Sequence, residues 1–322
     1  MTASPSAART AARLRGFVIG LGLACAAVQA FAATPATAPA AAPPASATST
    51  PAAPPAAPSS GVRYSEPAYA SRSAVHALNG AAATSNPLAT GVALDVLRRG
   101  GTALDAALAA NAVLAVVEPH NTGPGGDVFA IVWDPRTERL HGYNGSGRAP
   151  AGLTLAQLRD ALGPDATVIP RGPYAVTVPG AVDAWFALHA RFGRRPMREL
   201  LASAIAYARD GAPISFISAD IWALAASRAP LNEATAARDG FRAAFLPGGR
   251  APATGEPFRN PAFAATLQAI ADDGRDAFYR GRLARELDAY ARAAGSPLRA
   301  ADLAAHRGEW VEPISTRYRG YD

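Results

Sequence analysis

The sequence predicts an α+β fold in which helices dominate. Most of the chain after residue 86 consists of apolar or amphipathic segments bounded by helix-capping residues and glycines, whereas residues 127–134 and 138–145 are typical of strands. The chain has 322 residues, of which 49% are hydrophobic and 17% charged, so it can bury a sizeable core. Wholesale disorder is therefore excluded, and the lack of a heptad repeat excludes a coiled coil.

The helices are predicted from their boundaries. Residues 87–101 begin with proline and end in a glycine pair, the usual punctuation of a helix. In residues 102–120, Thr102 stands at the N-cap and Asp105 at the third helical position, which together predict a capping box. Further helices are predicted over residues 153–162, 181–193, 197–211, 218–228, 260–274 and 281–295.

The strands are fewer. Residues 127–134 and 138–145 predict a hairpin with its turn at residues 134–137. Residues 174–180 predict a short strand, and residues 309–322 a strand-like terminal stretch. Outside the helical segment already named, residues 212–260 are expected to be irregular.

The N-terminus predicts a signal peptide over residues 1–32. Three arginines precede an apolar run of about a dozen residues, and small residues lead to a cleavage site after Ala32. The alternatives are an uncleaved anchor, for which the apolar run is short, and a lipoprotein site at Cys25.

Residues 33–60 are almost entirely Ala, Pro, Ser and Thr and predict a disordered linker, so the folded region is expected to span residues 61–322. Cleavage after Ala32 would remove Cys25, the single cysteine, which suits an oxidising compartment. We therefore expect a periplasmic or secreted protein.

Composition argues against several kinds of binding. The formal net charge is +6, but the arginines alternate with acidic residues, so no nucleic-acid partner is expected. The five histidines lack metal-ligand spacing and one cysteine cannot build a thiolate site, so no metal is predicted. The glycine turn at residues 123–126 precedes a strand and lacks a following Lys-Ser/Thr, so no nucleotide cofactor is expected.

Six segments in this order resemble the gamma-glutamyltranspeptidase family. They are ATSNPLAT (83–90), GGTALDAALAANAVLAVVEPHNTGPGGD (100–127), GRAP (147–150), VTVPGAVDAW (176–185), NPAFAATLQAIADDGRDAFYRG (260–281) and YRGY (318–321). Each segment alone is a weak signal, but all six occur at compatible spacing within residues 72–322.

The resemblance implies an N-terminal nucleophile hydrolase: an αββα sandwich, of which this chain is the large-subunit part. Family members cut themselves before a threonine, which then acts as nucleophile while its own α-amine acts as base. The implied substrate is glutathione or a related γ-glutamyl amide. The implied partner is a complementary small subunit that carries the threonine.

Two departures from the family pattern bear on function. The sequence contains no Thr-Thr pair followed by histidine, so the chain is expected to be truncated at its C-terminus, to hold no catalytic residue and to be inactive alone. In addition, Ser146 stands where glutathione-cleaving members commonly have arginine, and Arg148 lies two residues further on. This second departure is typical of the branch that includes amidohydrolases and acylases.

Arg148 and Ser146 are the candidate substrate-binding residues. A guanidinium can hold a carboxylate through two parallel hydrogen bonds, and a glycine-flanked turn lets it face a ligand. Alternatively, Arg148 pairs with an internal acid or caps a helix, and Ser146 hydrogen-bonds its own backbone. Structural roles are expected for His120 at a helix end, for Asp127 as an acceptor of backbone N–H groups, and for the four tryptophans in packing.

Three classes of function stay open. The first is the large-subunit part of a self-processing γ-glutamyl transferase or hydrolase. The second is an amidohydrolase or acylase of the same fold that acts on another small carboxylate-bearing amide. The third is an inactive fragment or a non-catalytic binding protein.

Overall fold

The computed structural model describes residues 74–321 except 168, 170, 171 and 229–234. The predicted signal peptide (1–32) and linker (33–60) lie outside these residues. From Ala82 onward the described residues belong to one compact unit. Among the described helices, none combines the length and the apolar character needed to cross a membrane.

The described residues form helices and short strands. The helices are α1 (Pro87–Arg98), α2 (Ala103–Val117), α3 (Leu155–Leu162), α4 (Ala181–Phe192), α5 (Met197–Asp210), α6 (Phe216–Arg228), α7 (Thr235–Phe245), α8 (Pro261–Asp273), α9 (Arg275–Tyr279), α10 (Arg282–Ala293) and α11 (Ala300–Ala305). The strands are β1 (Val128–Asp134), β2 (Arg139–Gly145), β3 (Ala212–Pro213), β4 (Pro257–Phe258) and β5 (Glu309–Val311).

Helix α2 lies at the centre of the main core. It packs against α1, α4 and α5, and eleven of its fifteen residues are buried, because its many alanines allow neighbouring helices to approach closely. The predicted capping box of Thr102 and Asp105 is confirmed. The fully buried Asp105 carboxylate also accepts N–H groups from Arg194 and Arg195, so it ties the start of α2 to the α4–α5 connection.

The predicted hairpin is confirmed and forms the larger sheet. Strands β1 and β2 pair antiparallel along their whole length, and β5 joins the other edge of β2, giving the order β1-β2-β5. Val128, Ala130 and Val132 face the helical core. The opposite face is exposed and apolar, with Phe129 69%, Ile131 70% and Trp133 55% accessible. Helices therefore cover one face of the sheet and leave the other open.

A second, smaller cluster lies between α6, α7 and the β3–β4 pair. Trp222 is its buried centre, packing edge-on against Phe245 and Phe258 and donating its indole N–H to the carbonyl of Phe245 (3.0 Å). Residues 212–260 are thus more ordered than the sequence predicts, and α7 is a helix that was not expected.

The prediction of a strand over residues 174–180 is wrong. Residues Pro173–Ala175 form a single 3₁₀ turn. Val178 makes one backbone bond, donating to the Arg148 carbonyl (3.0 Å), and the next residue is Pro179, which has no N–H to extend a ladder. The terminal stretch is likewise a strand only over Glu309–Val311, because Pro313 stops it.

Asp183, in the first turn of α4, links that helix to three distant parts of the chain. Its buried carboxylate forms an ion pair with Arg275 of α9 and accepts hydrogen bonds from the Tyr143 hydroxyl (3.1 Å) and the Gly308 N–H (2.8 Å). The Asp183 N–H in turn donates to the Tyr279 hydroxyl (3.0 Å). Burial alone would raise the pKa of Asp183, but these donors and the Arg275 charge outweigh it, so the pKa is lowered.

We expect Asp183→Ala to lower the free energy of unfolding by about 3–5 kcal/mol, because the largely buried Arg275 would keep only its longer ion pair with the exposed Asp276 (3.3 Å). Equilibrium urea denaturation is the measurement. Asp95→Ala is the matched control, since it breaks an exposed Arg98 pair worth at most about 1 kcal/mol. Similar unfolding midpoints for the two variants would contradict the central role of Asp183.

Candidate functional site

The candidate site lies at the open end of the β1–β2 hairpin. Val128 pairs with Gly145 there, so the residues just outside that pair, Asp127 and Ser146, are brought together although they are far apart in sequence. The segment that leads into α4 reaches the same place, because the N–H groups of Gly180 and Ala181 both donate to the carbonyl of Gly126 (2.9 Å each).

Two glycines allow the loops to meet at this end. A Cβ at Gly147 would lie 1.5 Å from the Val178 carbonyl oxygen, and a Cβ at Gly180 would lie 1.9 Å from the Gly145 carbonyl oxygen. Both distances are far below van der Waals contact, so these positions require glycine while the backbones are packed in this way. The turn after β2 is therefore fixed against the start of α4.

Arg148 has a backbone held by hydrogen bonds and a largely exposed side chain. Its carbonyl accepts the Val178 N–H, and the N–H of the preceding Gly147 donates to the Asp127 carboxylate (3.1 Å). The side chain is 85% exposed, and its Nη2 donates to Oε1 of Glu309 at 2.8 Å. The structure thus contains the pairing with an acid that was the alternative interpretation of Arg148, and it leaves most of the guanidinium open to solvent.

Ser146 is held by its own turn. Its hydroxyl donates to Oδ1 of Asn144 (2.7 Å), and its backbone N–H donates to the same oxygen (3.0 Å). The acceptor is thus a side chain of the same turn, whereas the alternative prediction for Ser146 is a bond to its own backbone. Asn144 was not identified from the sequence, and its position at the end of β2 is what places Ser146 beside Arg148.

Asp127 binds a backbone N–H group, as predicted, and that group belongs to Gly147 on the neighbouring loop. Burial raises the pKa of the Asp127 carboxyl, and the hydrogen bond from Gly147 opposes the shift only in part. The Asp127 carboxylate therefore links the glycine turn to the Arg148 loop through a hydrogen bond.

His306 lies near Gly180 at the start of α4, although no pattern in the sequence selects it. Its imidazole stacks on Tyr279 and lies 4.0 Å from the Asp183 carboxylate, close to Gly180. Burial is the main cause that lowers the pKa of His306; the negative Asp183 opposes the shift, and the charges of Arg275, Arg307 and Arg148 add to it.

The other residues selected from the sequence lie in the core or on the sheet. His120 is buried near Glu118, and burial lowers its pKa. Trp185 and Trp222 are core residues, whereas Trp133 and Trp310 are at the surface of the sheet. Within the described residues no group of three or more His, Cys, Asp and Glu side chains is arranged to hold a metal ion.

The sequence model for the family described as Gamma-glutamyltranspeptidase matches residues 89–322. The chain belongs to the gamma-glutamyltranspeptidase family. The resemblance seen in the sequence is thereby confirmed, as is the N-terminal nucleophile hydrolase fold class, and the matched region is the family's large subunit.

Three known proteins illustrate the relationship. The chain is 39% identical over 227 residues to the glutathione hydrolase-like YwrD proenzyme of Bacillus subtilis, covering 70% of this chain and 41% of that protein. It is 38% identical over 247 residues to the oxamate amidohydrolase proenzyme of Klebsiella pneumoniae, covering 75% and 45%. The crystal structure of cephalosporin acylase from Bacillus halodurans matches with a TM-score of 0.74 at 43% identity, covering 80% and 47%.

The chain spans less than half the length of these three proteins. Their names nevertheless point to one class of chemistry, since they are a hydrolase-like proenzyme, an amidohydrolase proenzyme and an acylase. The family is thus one of γ-glutamyl transferases, hydrolases and related acylases.

The buried histidines predict that stability falls in mild acid. His120 and His306 have folded-state pKa values below the ordinary 6.5, so their contribution to stability is complete above that pH and is lost as the pH falls towards the folded-state values. Thermal denaturation at pH 7.5 and pH 5.5 should give a lower midpoint at pH 5.5, by roughly 2–4 °C per kcal/mol of linkage.

His306→Gln should reduce this dependence on pH, because the variant has no imidazole to protonate. His141→Gln is the control, since His141 is only partly buried. If His306→Gln and the wild type lose stability equally between pH 7.5 and pH 5.5, protonation of His306 is not a cause of that loss.

Proposed function

We propose that this chain is the large-subunit part of a self-processing γ-glutamyl transferase or hydrolase that acts on glutathione or related γ-glutamyl amides. The observation that carries the proposal is the Arg148 guanidinium, exposed on a rigid backbone at the open end of the hairpin. The family's relatives include glutathione hydrolases, which supports the reaction class.

Arg148 binds a carboxylate of the substrate in this proposal. The guanidinium uses one donor for Glu309 and has further donors for a second carboxylate, which it can hold in the planar two-point geometry. Anchoring the carboxylate would fix the distance from that group to the scissile amide. Arg148 therefore positions the substrate and takes no part in bond breaking.

The nucleophile belongs to the complementary small subunit. The hydroxyl of its terminal threonine attacks the amide carbonyl of the substrate, while the α-amine of the same threonine takes the hydroxyl proton. The amine part of the substrate then leaves with that proton, and water or an acceptor amine releases the acyl group from the threonine. The absence of a Thr-Thr pair from the sequence supports assigning this step to another part of the enzyme. The chain alone is inactive in this proposal.

The exposed face of the β1–β2–β5 sheet offers a surface on which the small subunit can pack. Phe129, Ile131 and Trp133 make a continuous exposed apolar row along β1, which is paired on one edge only among the described residues. An apolar face of this kind, together with a free strand edge, favours association with another chain. The proenzyme relatives, about twice as long as the part matched, support a partner of this origin.

A second candidate is an amidohydrolase or acylase for another small carboxylate-bearing amide. Ser146 supports it, since glutathione-cleaving members commonly place arginine there, and so does the identity of 38–43% to an oxamate amidohydrolase and a cephalosporin acylase. Comparing kcat/KM for glutathione and oxamate separates the two candidates. Ser146→Arg should raise the ratio of glutathione to oxamate hydrolysis if the serine has been the cause of a lost preference.

Location is a further part of the proposal. The arginines, apolar run and small residues of residues 1–32 support export and cleavage after Ala32, followed by a linker over residues 33–60. The mature protein is then periplasmic or secreted. N-terminal sequencing of the exported protein tests this, and a lipid-bearing start at Cys25 would replace it with the lipoprotein alternative.

Expressed alone, residues 61–322 should self-associate and show no amidase activity. Coexpression with the complementary part of the enzyme should give a monodisperse complex that hydrolyses glutathione or oxamate. Size-exclusion chromatography with light scattering and an amidase assay are the measurements. A monodisperse, cooperatively melting monomer that binds no complementary part would favour the third class of function, a non-catalytic binding protein.

Arg148→Ala in the complemented enzyme should raise KM for a carboxylate-bearing amide by about 10- to 100-fold, the scale of charge-assisted hydrogen bonds of about 1.5–3 kcal/mol, while kcat changes little. Arg148→Lys should recover only part of the loss, because an ammonium group lacks the planar fork. Arg139→Ala is the matched control, since Arg139 is also exposed and pairs with an acid after β5, Glu312. Equal KM values for Arg148→Ala and the wild type would remove Arg148 from the site.

A further inference from the structure

We propose that Glu309 sets the substrate specificity of the site by competing with the substrate carboxylate for Arg148. The inference rests on the proposed function, because it takes Arg148 as the group that holds the substrate. It concerns a residue 161 positions further along the chain, which meets Arg148 only in the folded protein.

The contact between the two residues is a single, exposed ion pair. Nη2 of Arg148 lies 2.8 Å from Oε1 of Glu309, and the side chains are 85% and 57% accessible. One donor of the guanidinium is used, whereas a substrate carboxylate could use two in parallel. A free carboxylate can therefore replace Glu309 at Arg148, and a neutral amide or hydroxyl group has no charge with which to do so.

The carboxylate of Glu309 is kept close to Arg148 by backbone contacts on both sides. Glu309 pairs with Asn144 in the β2–β5 ladder, and the N–H of the preceding Gly308 donates to the buried Asp183 carboxylate (2.8 Å). Arg148 is anchored through its own carbonyl and through the Asp127–Gly147 bond. When a substrate takes the guanidinium, Glu309 stays beside it and remains a competitor.

Two consequences for binding follow. The substrate must displace an existing partner, so affinity for any carboxylate is reduced by the strength of an exposed ion pair, about two- to fivefold. The retained negative charge also disfavours a substrate with a second anionic group near the first. Glu309 thus favours substrates with one carboxylate at this point.

The test uses the chain in complex with its complementary part and propionate as the carboxylate probe, with ionic strength held constant by sodium chloride. Propionate has no amide bond, so no turnover interferes. Binding is followed by the NMR signal of the Gly147 amide, which adjoins Arg148. Glu309→Gln should bind propionate about two- to fivefold more tightly than the wild type.

The matched control is Glu312→Gln, which removes the same charge from the segment after β5 but from a residue paired with Arg139. It should leave the dissociation constant for propionate close to that of the wild type. Equal gains in propionate affinity for Glu309→Gln and Glu312→Gln would show that the loss of any nearby negative charge has the same effect. That result would overturn the inference.

Arg148→Ala separates this inference from the proposed function. Unchanged propionate binding in Arg148→Ala would overturn the carboxylate site and the role of Glu309 together. Weakened binding in Arg148→Ala with no gain in Glu309→Gln would overturn only the role of Glu309. Weaker binding in Glu309→Gln would mean that Glu309 orients Arg148, and this result also contradicts competition.

Discussion

The buried carboxylate of Asp183 joins parts of the protein that no local rule brings together. A charge removed from water must be compensated by several donors, and here Arg275, the Tyr143 hydroxyl and the Gly308 N–H provide them. Because these donors come from α9, β2 and the residue before β5, the carboxylate can be satisfied only when all three elements are in place around α4. The same contact positions Gly308 and hence the neighbouring Glu309 beside Arg148.

Local chemistry explains why many elements were predictable. The capping box of Thr102 and Asp105 and the hairpin turn at residues 134–137 depend on residues a few positions apart, and both were found as expected. The prediction of a strand over residues 174–180 was wrong because strand formation is not a local property. The pattern of these residues is that of a strand, but an extended segment becomes a strand only when another strand is free to pair with it. Hydrogen bonding to the Arg148 loop and the proline at position 179 leave no ladder there.

The sequence indicated which residues belong to the candidate site, but it did not indicate which distant residues contact them. The glycine-flanked turn can be read from the sequence, and the family resemblance points to Arg148 and Ser146 within it. The partner of Arg148 could not be selected, because the β2–β5 register that brings Glu309 to it joins segments 161 residues apart. His306 was missed for a similar reason: a histidine acquires a shifted pKa from what is folded around it, and nothing in the neighbouring sequence indicates that burial.

The two close glycine approaches limit how this site can change over evolution. Any side chain at Gly147 or Gly180 would push the turn after β2 away from the start of α4, since the clearances are 1.5 Å and 1.9 Å. The backbone of the site therefore behaves as a fixed frame. Under the proposed function, new substrate preferences within the same frame arise by exchanging the side chains at Ser146 and Arg148. A few point substitutions there would then redirect one scaffold to a different acyl group without rebuilding its loops.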